Sequence, residues 1–130
     1  SMRLTVVPNR NALMLAVAVA WAQSVGATAV AYAAHAGDHP IYWDCRPGFM
    51  AAQKAVYTLA EPQPIELLTP FAHWPKSDIA ILAGRLSVPV ARTYSCYNGR
   101  EKHCGRCGTC VERREAFSII GNPDPTEYEK

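Results

Sequence analysis

The sequence predicts an α/β fold with a parallel sheet, and three observations carry that prediction. An apolar helical stretch over 11–25 runs directly into Thr28-Ala-Val-Ala-Tyr-Ala-Ala34, a short run without polar alternation, as a parallel strand covered on both faces requires. The order repeats, with a helical stretch from about Pro47 to Ala60 ahead of a second short strand at Ile65 to Leu68. Prolines mark the borders: Pro8 precedes the first helix, Pro47 suits the first turn of the second, and Pro62 and Pro64 precede the second strand. At 130 residues the chain is one domain's worth of sequence, since single cores run to roughly 100–200 residues. With 49% hydrophobic and 18% charged residues it can bury a core and is too apolar to stay disordered. A net charge of +2 is too weak for a nucleic-acid or membrane footprint, which needs a concentrated basic face. We expect a single domain over 1–130, with an α/β core over 2–94, a polar loop over 35–47 within it, and a cysteine-rich loop and helix over 95–120.

The elements follow in order. Asn9 or Asn11 caps the first helix, which Gly26 stops. Its surface is apolar nearly all round, with Leu13, Val17 and Trp21 on one side and Met14, Ala18 and Val25 on another, and so predicts burial on both flanks. No charge occurs from Asn11 to Ala34, and Arg3 and Arg10 precede the run, which invites a signal-peptide or membrane reading. Against it, the run is mostly Ala and Val, is broken by Gln23, Ser24 and Gly26, and has no second span after it. Secretion would also expose the clustered cysteines to oxidation, so a cytoplasmic chain is expected. Beyond the second strand, Lys76 or Ser77 opens a helix to about Leu86, a short extended piece lies near Val90 to Tyr94, and a last helix runs from Cys110 to Ile120.

Four of the five cysteines fall in fifteen residues, as Cys96-x7-Cys104-x2-Cys107-x2-Cys110. Two-residue spacers let neighbouring thiolates reach one ion at ~2.3 Å, and four complete a tetrahedron, which favours zinc. Gly105 and Gly108 each follow a cysteine, where a knuckle turn needs positive φ or close backbone approach. Lys102, Arg106, Arg113 and Arg114 can offset the charge of a four-thiolate zinc site. A [4Fe–4S] cluster also takes four thiolates, but the next ligand position of a ferredoxin-type run, 114, is arginine, and no proline follows. Four cysteines close the zinc shell and leave no place for water, so the metal is expected to hold the loop and not to perform chemistry.

His35-Ala-Gly-Asp-His-Pro-Ile-Tyr-Trp-Asp-Cys-Arg-Pro47 follows the first strand, where open α/β sheets place ligand loops. Two histidines, two aspartates, an arginine and two aromatics make dense polar chemistry beside stacking surface. By themselves these residues read as readily as structure: His39 as a hydrogen-bonded histidine, Asp38 as a turn residue, Tyr42 and Trp43 as core, and Cys45 as a buried thiol.

Val-Pro-Asn-Arg-Asn at 7–11, His-Ala-Gly-Asp-His-Pro-Ile-Tyr at 35–42, Asp-Cys-Arg-Pro at 44–47, Thr-Pro-Phe at 69–71, Ser-Cys-Tyr-Asn-Gly at 95–99, Cys-Gly-Arg-Cys-Gly-Thr-Cys-Val-Glu-Arg at 104–113 and Asp-Pro-Thr-Glu-Tyr-Glu at 124–129 resemble the 7-cyano-7-deazaguanine synthase family. The resemblance runs in order along nearly the whole chain after residue 5. It implies zinc on Cys96, Cys104, Cys107 and Cys110, and a three-layer nucleotide-binding sandwich with a parallel sheet, like that of N-type ATP pyrophosphatases and adenine nucleotide hydrolases. It also implies ATP-dependent conversion of 7-carboxy-7-deazaguanine and ammonia to the nitrile, a ligase step toward queuosine and related deazaguanines. One departure stands out: the family's opening strand and Ser-Gly-Gly-x-Asp-Ser phosphate loop are not in these 130 residues, so ATP has no visible grip here. Ser1-Met2 reads as a tag remnant before a native initiator, which would make the short form genuine. The expectations are then half of a split synthase completed by a phosphate-loop polypeptide, a repurposed binding domain, or an excised fragment, with a homodimer also open.

A deazaguanine offers a donor edge to a carboxylate, a flat face to an aromatic ring, and a 7-carboxylate to a cation. Residue chemistry therefore assigns Asp38 or Asp44 to the base edge, Arg46 to the carboxylate or its adenylate, and His39 to proton handling or orientation. Tyr42 or Trp43 would stack, and Arg10, at the start of the first helix, would contact phosphate or nucleotide. The rival reading is a zinc-stabilised module that binds a deazaguanine or RNA without catalysis, with Arg100, Lys102, Arg106, Arg113 and Arg114 as its basic patch. Glu101, Glu112 and Glu115 interrupt that patch.

Overall fold

A computed structural model describes residues 5–60, 62–119, 121 and 123–129. Ser1-Met2, Arg3, Glu61 and Ile120, the expected end of the last helix, lie outside the described residues. The described residues form two compact units that meet in sequence between Trp74 and Pro75.

The first unit is the α/β part. Helix α1 spans Arg10–Ser24 and is followed by strand β1, Ala29–Ala31. After two 3₁₀ turns, Ala36–Asp38 and Trp43–Cys45, come helix α2, Pro47–Leu59, and strand β2, Glu66–Leu68. The strands pair in parallel, with Ala29 opposite Glu66, Val30 opposite Leu67 and Ala31 opposite Leu68. Further hydrogen bonds extend the pairing, Glu66 N to Thr28 O at 3.0 Å and Tyr32 N to Leu68 O at 2.8 Å. Pro47 sits in the first turn of α2 as expected, because that position has no helical acceptor for an N–H. Asn9 is the N-cap of α1 but works differently from expectation: it adopts φ 58° and its side chain makes no capping bond.

One core joins Leu15, Val19 and Ala22 of α1 to Tyr57 of α2 and to Ile65 and Leu67 around β2. Here the sequence reading needs correction. Neither apolar stripe expected for α1 is the buried one: Leu13, Met14, Val17, Trp21 and Val25 are exposed. β1 is likewise not fully covered, since Ala31 is exposed and Val30 only half-buried. An apolar residue is buried only where something packs against it, and the strand pair and α2 occupy one side of α1. A second core beneath the polar loop gathers Ala34, Tyr42, Cys45, Met50 and Ala72.

The second unit holds α3, Lys76–Arg85, a 3₁₀ turn at Val90–Arg92, and α4, Gly108–Ile119. The helices pack together and are joined by Lys76 Nζ donating to Glu112 Oε2 at 2.6 Å. The extended piece expected near Val90 to Tyr94 is a turn instead. Arg92 N donates to Pro89 O at 2.9 Å and Thr93 N to Val90 O at 3.0 Å, so the backbone is satisfied locally, with no neighbouring strand needed. The chain then returns over 124–129 to pair with residue 103, with Glu129 N donating to His103 O at 2.8 Å.

Candidate functional site

Each unit carries a cluster of chemistry-bearing side chains. In the first, the loop beyond β1 is held open by its own turns. His35 is buried, starts the 3₁₀ turn Ala36–Asp38, and accepts from Gly37 N through Nδ1 at 3.1 Å. Its proton therefore sits on Nε2, which lies 3.5 Å from Asp38 Oδ2. Arg46 donates from Nε to His39 O at 2.9 Å and lays its guanidinium 3.6 Å over the Trp43 ring. Two bonds thus brace the loop from its two ends.

Cys45 is the buried centre of this region. Asn11 Nδ2 donates to its sulfur at 3.7 Å, and Tyr32 Oη lies 3.4 Å from the same atom while donating to Asp44 O at 2.9 Å. Burial pushes the Cys45 thiol up, and the negative charges of Asp38 and Asp44 push it further, against the hydrogen bond from Tyr32 and the charge of Arg10. Burial, the contact with Cys45 and the same two aspartates raise the Tyr32 phenol as well. Cys45 is therefore a neutral, packed thiol and a poor nucleophile.

The expected site residues fall in two groups. Arg10, Asp38 and Asp44 are close enough to act electrostatically on one atom, Cys45 Sγ. Arg46, Trp43 and His39 form the stacked and hydrogen-bonded brace. His39 Nε2 is buried with no hydrogen-bond partner among the described residues, a costly state for a ring nitrogen that a ligand can relieve. Tyr42 is buried in the second core, where its hydroxyl lies 2.6 Å from Thr5 Oγ1, whereas Trp43 is 76% exposed and has the ring surface a planar ligand needs. Asn11, Tyr32 and His35 received no role from the sequence, although Asn11 and His35 stand inside the quoted motifs. Only the fold shows that they reach Cys45 and Asp38.

In the second unit, Cys96, Cys104, Cys107 and Cys110 bring their sulfurs within 4.8 Å of one another. Cys107 Sγ lies 3.4 Å from Cys110 Sγ and 3.9 Å from Cys96 Sγ. A zinc–sulfur bond of ~2.3 Å gives a tetrahedral edge of about 3.8 Å, so the donor set fits the metal. Backbone N–H groups already point at the sulfurs: Asn98 and Cys104 donate to Cys96 at 3.4 and 3.3 Å, and Cys107 donates to Cys104 at 3.3 Å. Such bonds orient thiolate ligands. Against the upward push of burial, hydrogen bonds from Thr109 and nearby backbone bring Cys107 down to about 6, while burial and the bond with Cys107 push Cys110 up to about 12. Adjacent thiols in this setting resist ionising together until a cation shares them.

Gly105 has φ +70°, and a Cβ there would meet Arg114 Nη2 at 2.8 Å, so the knuckle needs glycine on both counts. The surrounding cations have other work. Arg114 donates to Gly105 O at 3.1 Å and lies 3.9 Å over the Tyr128 ring. Arg113 donates to Thr126 Oγ1 at 2.6 Å, Thr93 Oγ1 at 3.0 Å and Val90 O at 2.9 Å, and sits 3.8 Å from Asp124. Lys102 pairs with Glu127 at 3.0 Å and Arg100 with Glu129 at 3.4 Å. These residues tie the returning C-terminal segment over the cysteine loop.

A polar loop after a parallel strand, together with a four-thiolate centre in a tight knuckle, defines an α/β protein with a ligand loop and a structural metal site. Comparison with known families sharpens that class: residues 1–121 match the model of the queuosine biosynthesis protein QueC, and the chain belongs to that family. A curated 7-cyano-7-deazaguanine synthase of Paracoccus denitrificans is 55% identical over 131 residues, covering 99% of this chain and 56% of its own length. The synthases of Brucella anthropi and Ruegeria pomeroyi are 53% and 55% identical, covering 99% and 98% of this chain and again 56% of their own lengths. The chain thus spans a little over half the length of the curated relatives it matches. No helix among the described residues is long and apolar enough to cross a membrane.

Proposed function

We propose that this chain is the substrate-loop and zinc-bearing part of a 7-cyano-7-deazaguanine synthase, which converts 7-carboxy-7-deazaguanine and ammonia to the nitrile with ATP. The observation that carries the reading is the 55% identity to a synthase of that name along 99% of the chain. The loop chemistry agrees with such a substrate. Asp38 or Asp44 accepts from the donor edge of the base, Trp43 stacks on its face, and Arg46 faces the 7-carboxylate with the guanidinium nitrogens left over after Nε binds His39 O. His39 turns its unpartnered Nε2 toward proton transfer or orientation, and Arg10 adds a cation at the start of α1. Tyr42 supports the loop from the core.

Zinc, when bound by the four cysteines, supplies a closed structural node and no reactive water. The 130 residues contain no Ser-Gly-Gly-x-Asp-Ser segment, so no ATP step is assigned to them, and the phosphate grip falls to the part of the relatives that this chain does not match. The complete assembly would be a three-layer sandwich in one domain, acting in the cytoplasm. The RNA-binding alternative is disfavoured because Arg100, Lys102, Arg113 and Arg114 are engaged within the protein.

Titration with 7-carboxy-7-deazaguanine tests the reading. Saturable binding that Asp38→Ala and Arg46→Ala together abolish is expected, with no turnover when ATP and ammonia are added to this chain by itself. Unchanged binding in that double variant would falsify the pocket assignment.

A further inference from the structure

Helix α1 has a face that its own fold does not use. Leu13, Met14, Val17 and Trp21 stand at positions i, i+1, i+4 and i+8, which places them along one stripe, and each is 62–69% exposed. The opposite stripe, Leu15, Val19 and Ala22, is in the core. No charged residue follows Arg10 until Asp38, so the outward stripe lacks the Lys and Glu side chains that normally solvate a surface helix. Contiguous apolar surface of this kind marks an interaction site in soluble proteins. The strand pair beside it is also short of neighbours: parallel sheets are covered on both faces, and two strands are fewer than an independently stable sheet needs.

We propose that the Leu13–Met14–Val17–Trp21 stripe is the docking surface for the stretch of polypeptide that 7-cyano-7-deazaguanine synthases carry outside the part this chain matches. This rests on the functional reading above and adds the place of contact. The occupant follows from proportion: the chain is matched over 99% of its length but accounts for only 56% of the Paracoccus denitrificans relative, so a large part of that protein must pack somewhere on this one. An uncharged stripe on the first helix is the surface suited to it. The stripe is unsuited to a membrane, because interfacial helices carry a cationic face opposite the apolar one, and here the opposite face is core. The surface is the same whether the stretch is joined to this chain or arrives as a separate polypeptide.

The test compares the 130-residue chain with a chimera in which it replaces the matched part of the Paracoccus denitrificans synthase. Hydroxyl-radical footprinting reads Met14 and Trp21 directly, both being oxidisable side chains. Both should oxidise readily in the chain and several-fold more slowly in the chimera. Equal oxidation in the two proteins, or protection already present in the chain through self-association, overturns the proposal. A second readout is Val17→Arg, which should leave the melting midpoint of the chain unchanged, as exposed substitutions do, and lower that of the chimera by several degrees through burial of an unpaired charge. An equal shift in both counts against docking, and so does a chimera that fails to fold while the chain folds. Neither readout involves substrate, so the surface can fail while deazaguanine binding at the loop stands, and the reverse.

Discussion

Arg46 lies 3.6 Å over the Trp43 ring while its Nε holds His39 O at 2.9 Å, so one guanidinium fixes both the aromatic and the histidine of the polar loop. An exposed cation–π pair contributes about 0.5–1 kcal/mol, whereas stacking of a base on an aromatic ring contributes about 1–3 kcal/mol. Trp43→Ala should therefore lower stability only slightly and weaken 7-carboxy-7-deazaguanine binding by about tenfold or more. Urea unfolding and ligand titration on the same variant separate the two effects. A stability loss as large as the binding loss would make Trp43 a packing residue.

Removing metal should act on one unit only. The four sulfurs close on one another within the unit that begins at Pro75, and the cores of α1, α2 and the strands do not include them. A chelator, or Cys110→Ser, is expected to strip about one zinc per chain and to unfold residues from Pro75 onward, since structural zinc supplies about 10–16 kcal/mol to small domains. Hydrogen exchange should show β1 and β2 still protected. Loss of protection in both units at the same chelator concentration would contradict this.

Asp124 makes the C-terminal return acid-sensitive. Burial pushes its carboxyl up, but hydrogen bonds from Thr126 and Tyr128 and the nearby Arg113 outweigh that and hold it below its ordinary value of 3.8. A group with a depressed folded value stabilises fully above its unfolded value and loses that contribution as pH falls through the folded one. The return over 124–129 should thus be intact at pH 5 and above and loosen below about pH 4. Asp124→Asn should cost about 1.5–3 kcal/mol at neutral pH and flatten the acid limb. Denaturant midpoints across pH would show it.

Gly37 is pinned by its neighbour. A Cβ there would sit 2.9 Å from His35 Cε1 and 3.1 Å from Nδ1, the atom that accepts from Gly37 N. The ring is buried and cannot swing aside freely, so Gly37→Ala should cost about 1–3 kcal/mol and loosen the His35 to Asp38 contact. Thermal unfolding measures the first effect. The second appears as weaker deazaguanine binding even well below the melting midpoint.

Much of this molecule was legible in the residues because the relevant physics is local. The prolines at 8, 47 and 64 and the apolar runs between them locate α1, α2 and both strands to within a few residues, since backbone sterics and side-chain period act over one or two turns. The cysteine spacing predicts a four-sulfur cluster for the same reason: short spacers leave the sulfurs little choice of neighbour. What the residues could not reveal depends on what lies across space. α1 offers apolar side chains all round, and only the position of the strand pair and α2 selects Leu15, Val19 and Ala22 for the core while Leu13, Val17 and Trp21 stay outside. Tyr42 and Trp43 are adjacent and equally aromatic, yet the turn at Trp43–Cys45 sends one inward and the other out. Arg113 and Arg114 read as counter-charges to a metal centre, until the returning segment supplies Asp124, Thr126 and Tyr128 as their partners. Spacing along the chain determined which groups exist and which metal they suit; burial and hydrogen-bond competition, which are properties of the folded surface, decided which of them remain available to a ligand or a partner.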